Sequence, residues 1–147
     1  MNAGAMAKIV LNNSVDETRR LGPWLEEAIP ETGFAAARAE IEMALVELVS
    51  NIVRHGYGTE VAASITLELQ RNDDRVAIAI RDEGRPVPPW ARQAADAALD
   101  YDPTDLEALP TGGIGLAMAM AAVDQFTYEE GDGVNVTRIE KGLHPAV

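Results

Sequence analysis

The run Glu47-Leu48-Val49-Ser50-Asn51-Ile52-Val53-Arg54-His55 places a carboxylate, an amide and an imidazole at i, i+4 and i+8 of a strongly apolar stretch. At about 100° per residue, Ile41, Leu45, Leu48 and Ile52 form one stripe of a helix, and Glu47, Asn51 and His55 run roughly a quarter turn beside it. A helix of this kind must bury its apolar stripe, and the polar strip travels with it to the margin of the core. Polar groups taken from water cost free energy unless partners meet them. The strip therefore needs a partner, which a bound ligand could supply.

The flanking sequence supplies the other elements of a two-layer α/β fold. Lys8 to Leu11 is a short apolar strand, and Ser14-Val15-Asp16-Glu17 has the form of a capping box opening a helix that runs through Glu27. Pro30-Glu31-Thr32-Gly33 breaks the chain, and Thr32 is placed to cap a long helix from about Phe34 to Arg54, ended by Gly56-Tyr57-Gly58. Ile65, Leu67 and Leu69 alternate with polar neighbours, as do Val76, Ile78 and Ile80 after Asn72-Asp73-Asp74, which predicts a β-hairpin. A short helix is expected around Trp90 to Ala98, then a loop from Leu99 to Gly113, long enough to suggest function. Gly115 to Val123 should be helical, and Gln125 to Glu129 should pair with Val134 to Glu140 across Gly131-Asp132-Gly133. The order of elements predicts a mixed sheet with helices on one face and a ligand groove beneath a lid. Trp24 either packs the first helix on the core or marks a partner surface.

Composition narrows the function. The 147 residues suit a single domain over 8–147 behind a flexible leader, 1–7. Twelve basic against 24 acidic residues leave a net charge of −12, which opposes attraction to nucleic acid or anionic membrane. No cysteine is present for disulfides or thiolate chemistry, and two histidines are too few for most zinc sites. With no apolar run approaching about 18 to 20 residues and no secretory signal, a soluble cytoplasmic protein is expected.

The candidate chemistry sits in three blocks. Asn51 offers an amide oxygen, a hard ligand suited to magnesium, or else satisfies a buried backbone group. Glu47, one turn upstream, is either a general base or an exposed helix glutamate. His55 either orients the neighbourhood of Glu47 or favours the helix end as a cation. In Ile80-Arg81-Asp82-Glu83-Gly84, Asp82 keeps the even parity of Val76, Ile78 and Ile80, so its carboxylate should point inward and need donors, unless it only organises the turn. In Thr111-Gly112-Gly113-Ile114-Gly115-Leu116, glycines open a helix whose amides and positive end suit phosphates, or else form a glycine-rich turn with no ligand. The chain has neither a Gly-x-x-x-x-Gly-Lys-Ser/Thr loop nor a Gly-x-Gly-x-x-Gly turn after its first strand, which argues against P-loop and dinucleotide folds.

In order and separation these blocks resemble the N, G1 and G2 boxes of the GHKL ATPase superfamily, which includes gyrase, histidine kinases and MutL. The resemblance runs from about Ile9 to Lys141 and is strongest to the small bacterial anti-sigma factors, serine kinases that also bind sigma factors. It implies a Bergerat-type α/β sandwich with a mixed, mostly antiparallel sheet, helices on one face and an ATP lid, binding ATP or ADP with Mg2+. By that resemblance Asn51 holds the metal, Glu47 takes the proton of an incoming hydroxyl, and Asp82 receives the adenine amine, with Gly84 letting the backbone approach. The segment Thr111 to Leu116 would cradle phosphates, His55 would flank the site, and Asn135 matches a small polar position near the adenine. The implied partners are a sigma factor and an anti-anti-sigma STAS-domain protein, with homodimerisation. Two departures stand out. Pro86 replaces a usual second glycine, and Leu99 to Gly113 carries Asp100, Asp102, Asp105 and Glu107 but no lysine or arginine, whereas some anti-sigma kinases have a lid arginine. A noncatalytic nucleotide-binding switch and a detached histidine-kinase-like ATPase module are the alternatives, the second weakened by the absence of a dimerisation helix.

Overall fold

The computed structural model describes residues 4–58, 60–88 and 114–145. Strand β1 (Ala5–Asn12) leads through a 3-10 turn at Val15–Arg20 into α1 (Leu21–Ala28). A second 3-10 turn, Thr32–Phe34, precedes α2 (Ala35–Asn51), which continues as a π-helical segment over Ile52–Tyr57. The hairpin β2 (Ser64–Arg71) and β3 (Arg75–Asp82) follows, then α3 (Ile114–Ala121) and the hairpin β4 (Gln125–Gly131) and β5 (Val134–Gly142). The expected helix from Trp90 to Ala98 and the lid from Leu99 to Gly113 lie outside the described residues.

The five strands form one sheet in the order β1-β2-β3-β5-β4, and all four pairings are antiparallel. Alternation decides which face is covered. Ile9 and Leu11 of β1, Ile65, Leu67 and Leu69 of β2, Val76, Ile78 and Ile80 of β3, and Ile139 of β5 are buried. Register aligns them across the sheet, Leu67 opposite both Ile9 and Ile80, and Ile78 opposite Ile139. Each such side chain contributes about 1.5 to 3 kcal/mol on burial, so this face outweighs the exposed ion pairs in holding the sheet. Ile41, Leu45 and Leu48 of α2 join the same core, and α2 packs against both α1 and α3. Trp24 is buried in that core, which settles its role as packing.

Local chemistry makes the turns. Asn72 Oδ1 accepts from the backbone N–H of Asp74 and of Arg75, each at 2.8 Å, closing the β2–β3 hairpin. Asp132 and Gly133 both have positive φ, 53° and 79°, as a two-residue hairpin turn requires.

Four local expectations are corrected. β1 begins at Ala5, within the span expected as a leader, because Ala5, Met6 and Ala7 pair with Arg71, Gln70 and Leu69. Ser14 makes no capping bond. Its backbone N–H is already given to Asn12 O at 2.7 Å, so Glu17 accepts instead from the Asn12 N–H at 2.9 Å. The α-helix starts only at Leu21, which puts Pro23 in a first turn, where its missing N–H costs nothing. Thr32 does not cap α2 but lies in the 3-10 turn before it, and the long helix leaves α geometry at Ile52 rather than running on to Arg54.

Candidate functional site

The π segment that follows Asn51 turns the end of α2 toward β3. It presents the Gly56 carbonyl to the Arg85 N–H, a hydrogen bond of 2.8 Å that staples the helix end to the turn after β3. The approach is close enough to dictate Gly84, since a Cβ there would lie 2.7 Å from the Gly56 carbonyl carbon. Tyr57, the last residue of the segment, accepts the Glu83 N–H at 2.6 Å and donates to Ser64 O at 3.3 Å. Burial raises its pKa, which keeps the phenol neutral as this bridge.

Above the staple opens a cavity of about 720 Å³, within the range of small-molecule and cofactor sites. Glu47, Asn51 and His55 all line it, so the polar strip does face one groove despite the change of helix type. Asp82, Gly115 and Leu116 line it too. Gly84 lies below as the spacer against Gly56. The backbone of Ile114 opens α3, while Thr111, Gly112 and Gly113 lie outside the described residues.

The two ends of the groove differ in chemistry. At one end Asp82, 5% exposed, accepts at Oδ1 from the Gly84 N–H (2.9 Å) and from Asn135 Nδ2 (3.0 Å). Burial pushes its carboxyl above the ordinary carboxylate range, and these two donors pull the other way. At the other end Glu47 meets the start of α3. A Cβ on Gly115 would overlap Glu47 Oε1, so only glycine admits the carboxylate to this position. A negative group there is favoured by the amide dipoles of the helix start. Neither Glu47 nor Asn51 has a side-chain hydrogen bond to any described residue, although both are half-buried. Glu47 and Gly56, next to Asp82, are nine positions apart along the helix, and both line the cavity, so it runs along that helix.

Several lining residues escaped the sequence reading. Tyr128 and Phe126 come from β4, Thr137 from β5, and Arg85, Val87 and Pro88 from the turn after β3, beside Pro86. Strand parity carried a signal for some of them: Asn135, Thr137 and Ile139 alternate onto one buried face, and Tyr128 lies directly opposite Thr137. Asn135, which the resemblance sets near the adenine, is 3% exposed and contacts Asp82.

The structure is an α/β sandwich, an antiparallel sheet with helices packed on it and a groove that holds Asp82 near the β3 turn and Glu47 at the start of α3. The family model for the histidine kinase-like ATPase domain matches residues 11–141, and the chain belongs to that family. Among solved structures it is similar to the RsbU and RsbW domains of Rv1364c from Mycobacterium tuberculosis, with 25% identity and a TM-score of 0.64. That match covers 97% of this chain and 34% of the other, so this chain spans about a third of the length of that structure. No curated protein matches the sequence significantly. Among the described residues no helix is long and apolar enough to cross a membrane.

Proposed function

We propose that the protein is an ATP- and Mg2+-dependent anti-sigma factor that sequesters a sigma factor and phosphorylates a serine or threonine of an anti-anti-sigma STAS-domain protein. The observation that carries this reading is the pair Glu47 and Asn51, polar, half-buried and without protein partners among the described residues, in the same groove as the buried Asp82. Membership of the ATPase family and the similarity to a structure with an RsbW domain support it.

Each residue then has a task. Asp82 orients the base through its amine. The Asn51 amide oxygen, lacking a protein donor, suits a hard cation, and Mg2+ bound there would neutralise phosphate charge. Glu47 receives the proton of the acceptor hydroxyl as it attacks the terminal phosphorus, and the bond from that phosphorus to the bridging oxygen of ADP breaks. The amides at the start of α3 face phosphate oxygens, a role proposed also for Thr111, Gly112 and Gly113. His55 flanks the groove beside Gly56.

A second reading is favoured by one observation. Among the described lining residues the guanidinium belongs to Arg85, whose backbone is fixed beside Gly56 at the Asp82 end, while the Glu47 end has no lysine or arginine. A protein that binds nucleotide and sequesters its partner without transferring phosphate matches that distribution. Single-turnover transfer from γ-labelled ATP to candidate STAS-domain proteins, run beside a sigma pull-down, separates the two. Glu47→Ala is expected to slow transfer by about 10² to 10⁴ while sigma remains bound. A wild type that binds ATP and transfers none establishes the switch.

A further inference from the structure

The hydrogen bonds behind Asp82 run in one direction. The Val87 N–H donates to the Tyr128 hydroxyl oxygen (2.8 Å), and that hydroxyl donates to Asn135 Oδ1 (3.2 Å). Asn135 Nδ2 then donates both to Asp82 Oδ1 (3.0 Å) and to Gly84 O (2.9 Å). Such a chain fixes which way the amide points. Turned over, Asn135 would set its carbonyl against two acceptors, the Asp82 carboxylate and the Gly84 carbonyl.

The consequence falls on the other carboxylate oxygen. Asp82 Oδ1 already receives two donors, whereas Oδ2 accepts nothing from the described residues and is not among the buried unpartnered atoms, so it opens to the groove. We propose that Tyr128 is a positioning residue for base recognition: acting through Asn135, it holds Asp82 so that Oδ2 meets an exocyclic amine, and through the Val87 N–H it ties that recognition to the chain leaving the β3 turn. The inference rests on the nucleotide reading above. It adds that base discrimination depends on a hydroxyl on edge strand β4, one that need not touch the base.

Tyr128→Phe tests it, since the ring stays and only the hydroxyl goes. Calorimetric titration with ATP and with inosine triphosphate, whose 6-oxo group offers an acceptor in place of the amine, should show ATP binding weakened roughly five- to fiftyfold. The preference for ATP over inosine triphosphate should fall by a similar factor. In the ADP complex the Val87 amide should also exchange faster in the variant than in wild type. A merely structural hydroxyl would weaken both nucleotides alike, and that result, or an unchanged preference, overturns the proposal while leaving the nucleotide reading intact. If the wild type binds neither nucleotide, the nucleotide reading itself fails and takes this inference with it.

Discussion

An ionised carboxylate held almost out of water gives the folded chain little until a ligand donor meets it, and Asp82 is in that position. Its folded pKa lies above the unfolded value because burial outweighs the Asn135 and Gly84 donors. A carboxyl raised in this way contributes stability that is fully present below the unfolded pKa and lost as pH rises through the folded one. At neutral pH, Asp82→Asn should therefore melt no lower than wild type, with any gain shrinking as the pH falls and the wild-type carboxyl takes up its proton. Binding should move oppositely. The lost charge-assisted hydrogen bond is worth about 1.5 to 3 kcal/mol, so ATP affinity should drop roughly ten- to hundredfold in the variant. Wild-type ATP affinity should likewise decline in acid. Melting curves and titrations from about pH 4, near the ordinary carboxylate pKa, to about pH 8 check both signs. A variant that melts lower yet binds ATP normally would make Asp82 a structural residue only.

The contact of the π segment with the β3 turn was hidden from the sequence for a physical reason. Periodicity reports which side of an element is apolar, and it located α2, both hairpins and the inward parity of Asp82. It does not report hydrogen-bond type, so Ile52 to Arg54 read as ordinary helix and Gly56-Tyr57-Gly58 as its end, where a π segment runs over Ile52–Tyr57. Nor does it place residues distant in the chain, which is why Glu47 meeting Gly115, or Tyr128 reaching Asn135, could not be seen. Two alanine variants probe that contact from its two sides. Gly84→Ala drives a Cβ to 2.7 Å from one Gly56 backbone atom and 3.0 Å from two more. Backbone cannot swing aside like a side-chain tip, so the staple to Arg85 should strain and the protein lose about 1 to 3 kcal/mol in denaturant unfolding. Gly56→Ala meets Ile52 Cγ2 only at 3.5 Å, an ordinary contact, and its Cβ lies 3.9 Å from Asp82 Oδ1. Stability should hold or rise by about 0.4 to 1 kcal/mol, while nucleotide affinity falls because the base end of the groove is narrowed. Equal destabilisation of both variants would contradict the asymmetry.

At the scale of the molecule, the groove draws on α2, the β3 turn, α3, β4 and β5 together, so a ligand filling it joins the two helices to three strands of the sheet. A ligand that binds only the folded chain stabilises it by mass action, about 2.7 kcal/mol at a hundredfold excess over Kd. For a chain of this size each kcal/mol moves the melting temperature by about 2 to 4 °C, so saturating ATP should raise it by roughly 5 to 11 °C. Two controls assign that shift to parts of the groove. Removing Mg2+ with a chelator should shrink the ATP shift more than any adenosine shift if, as proposed, the Asn51 end acts on phosphates and the Asp82 end on the base. Asn51→Ala should behave as wild type does without Mg2+, and should keep its response to adenosine. The net charge of −12 makes phosphate the costly part of this ligand, so the metal dependence should also be steepest at low ionic strength, where the protein's own field is least screened. An ATP shift of the same size with and without Mg2+, in both wild type and Asn51→Ala, would show that the phosphates are held without a metal at Asn51.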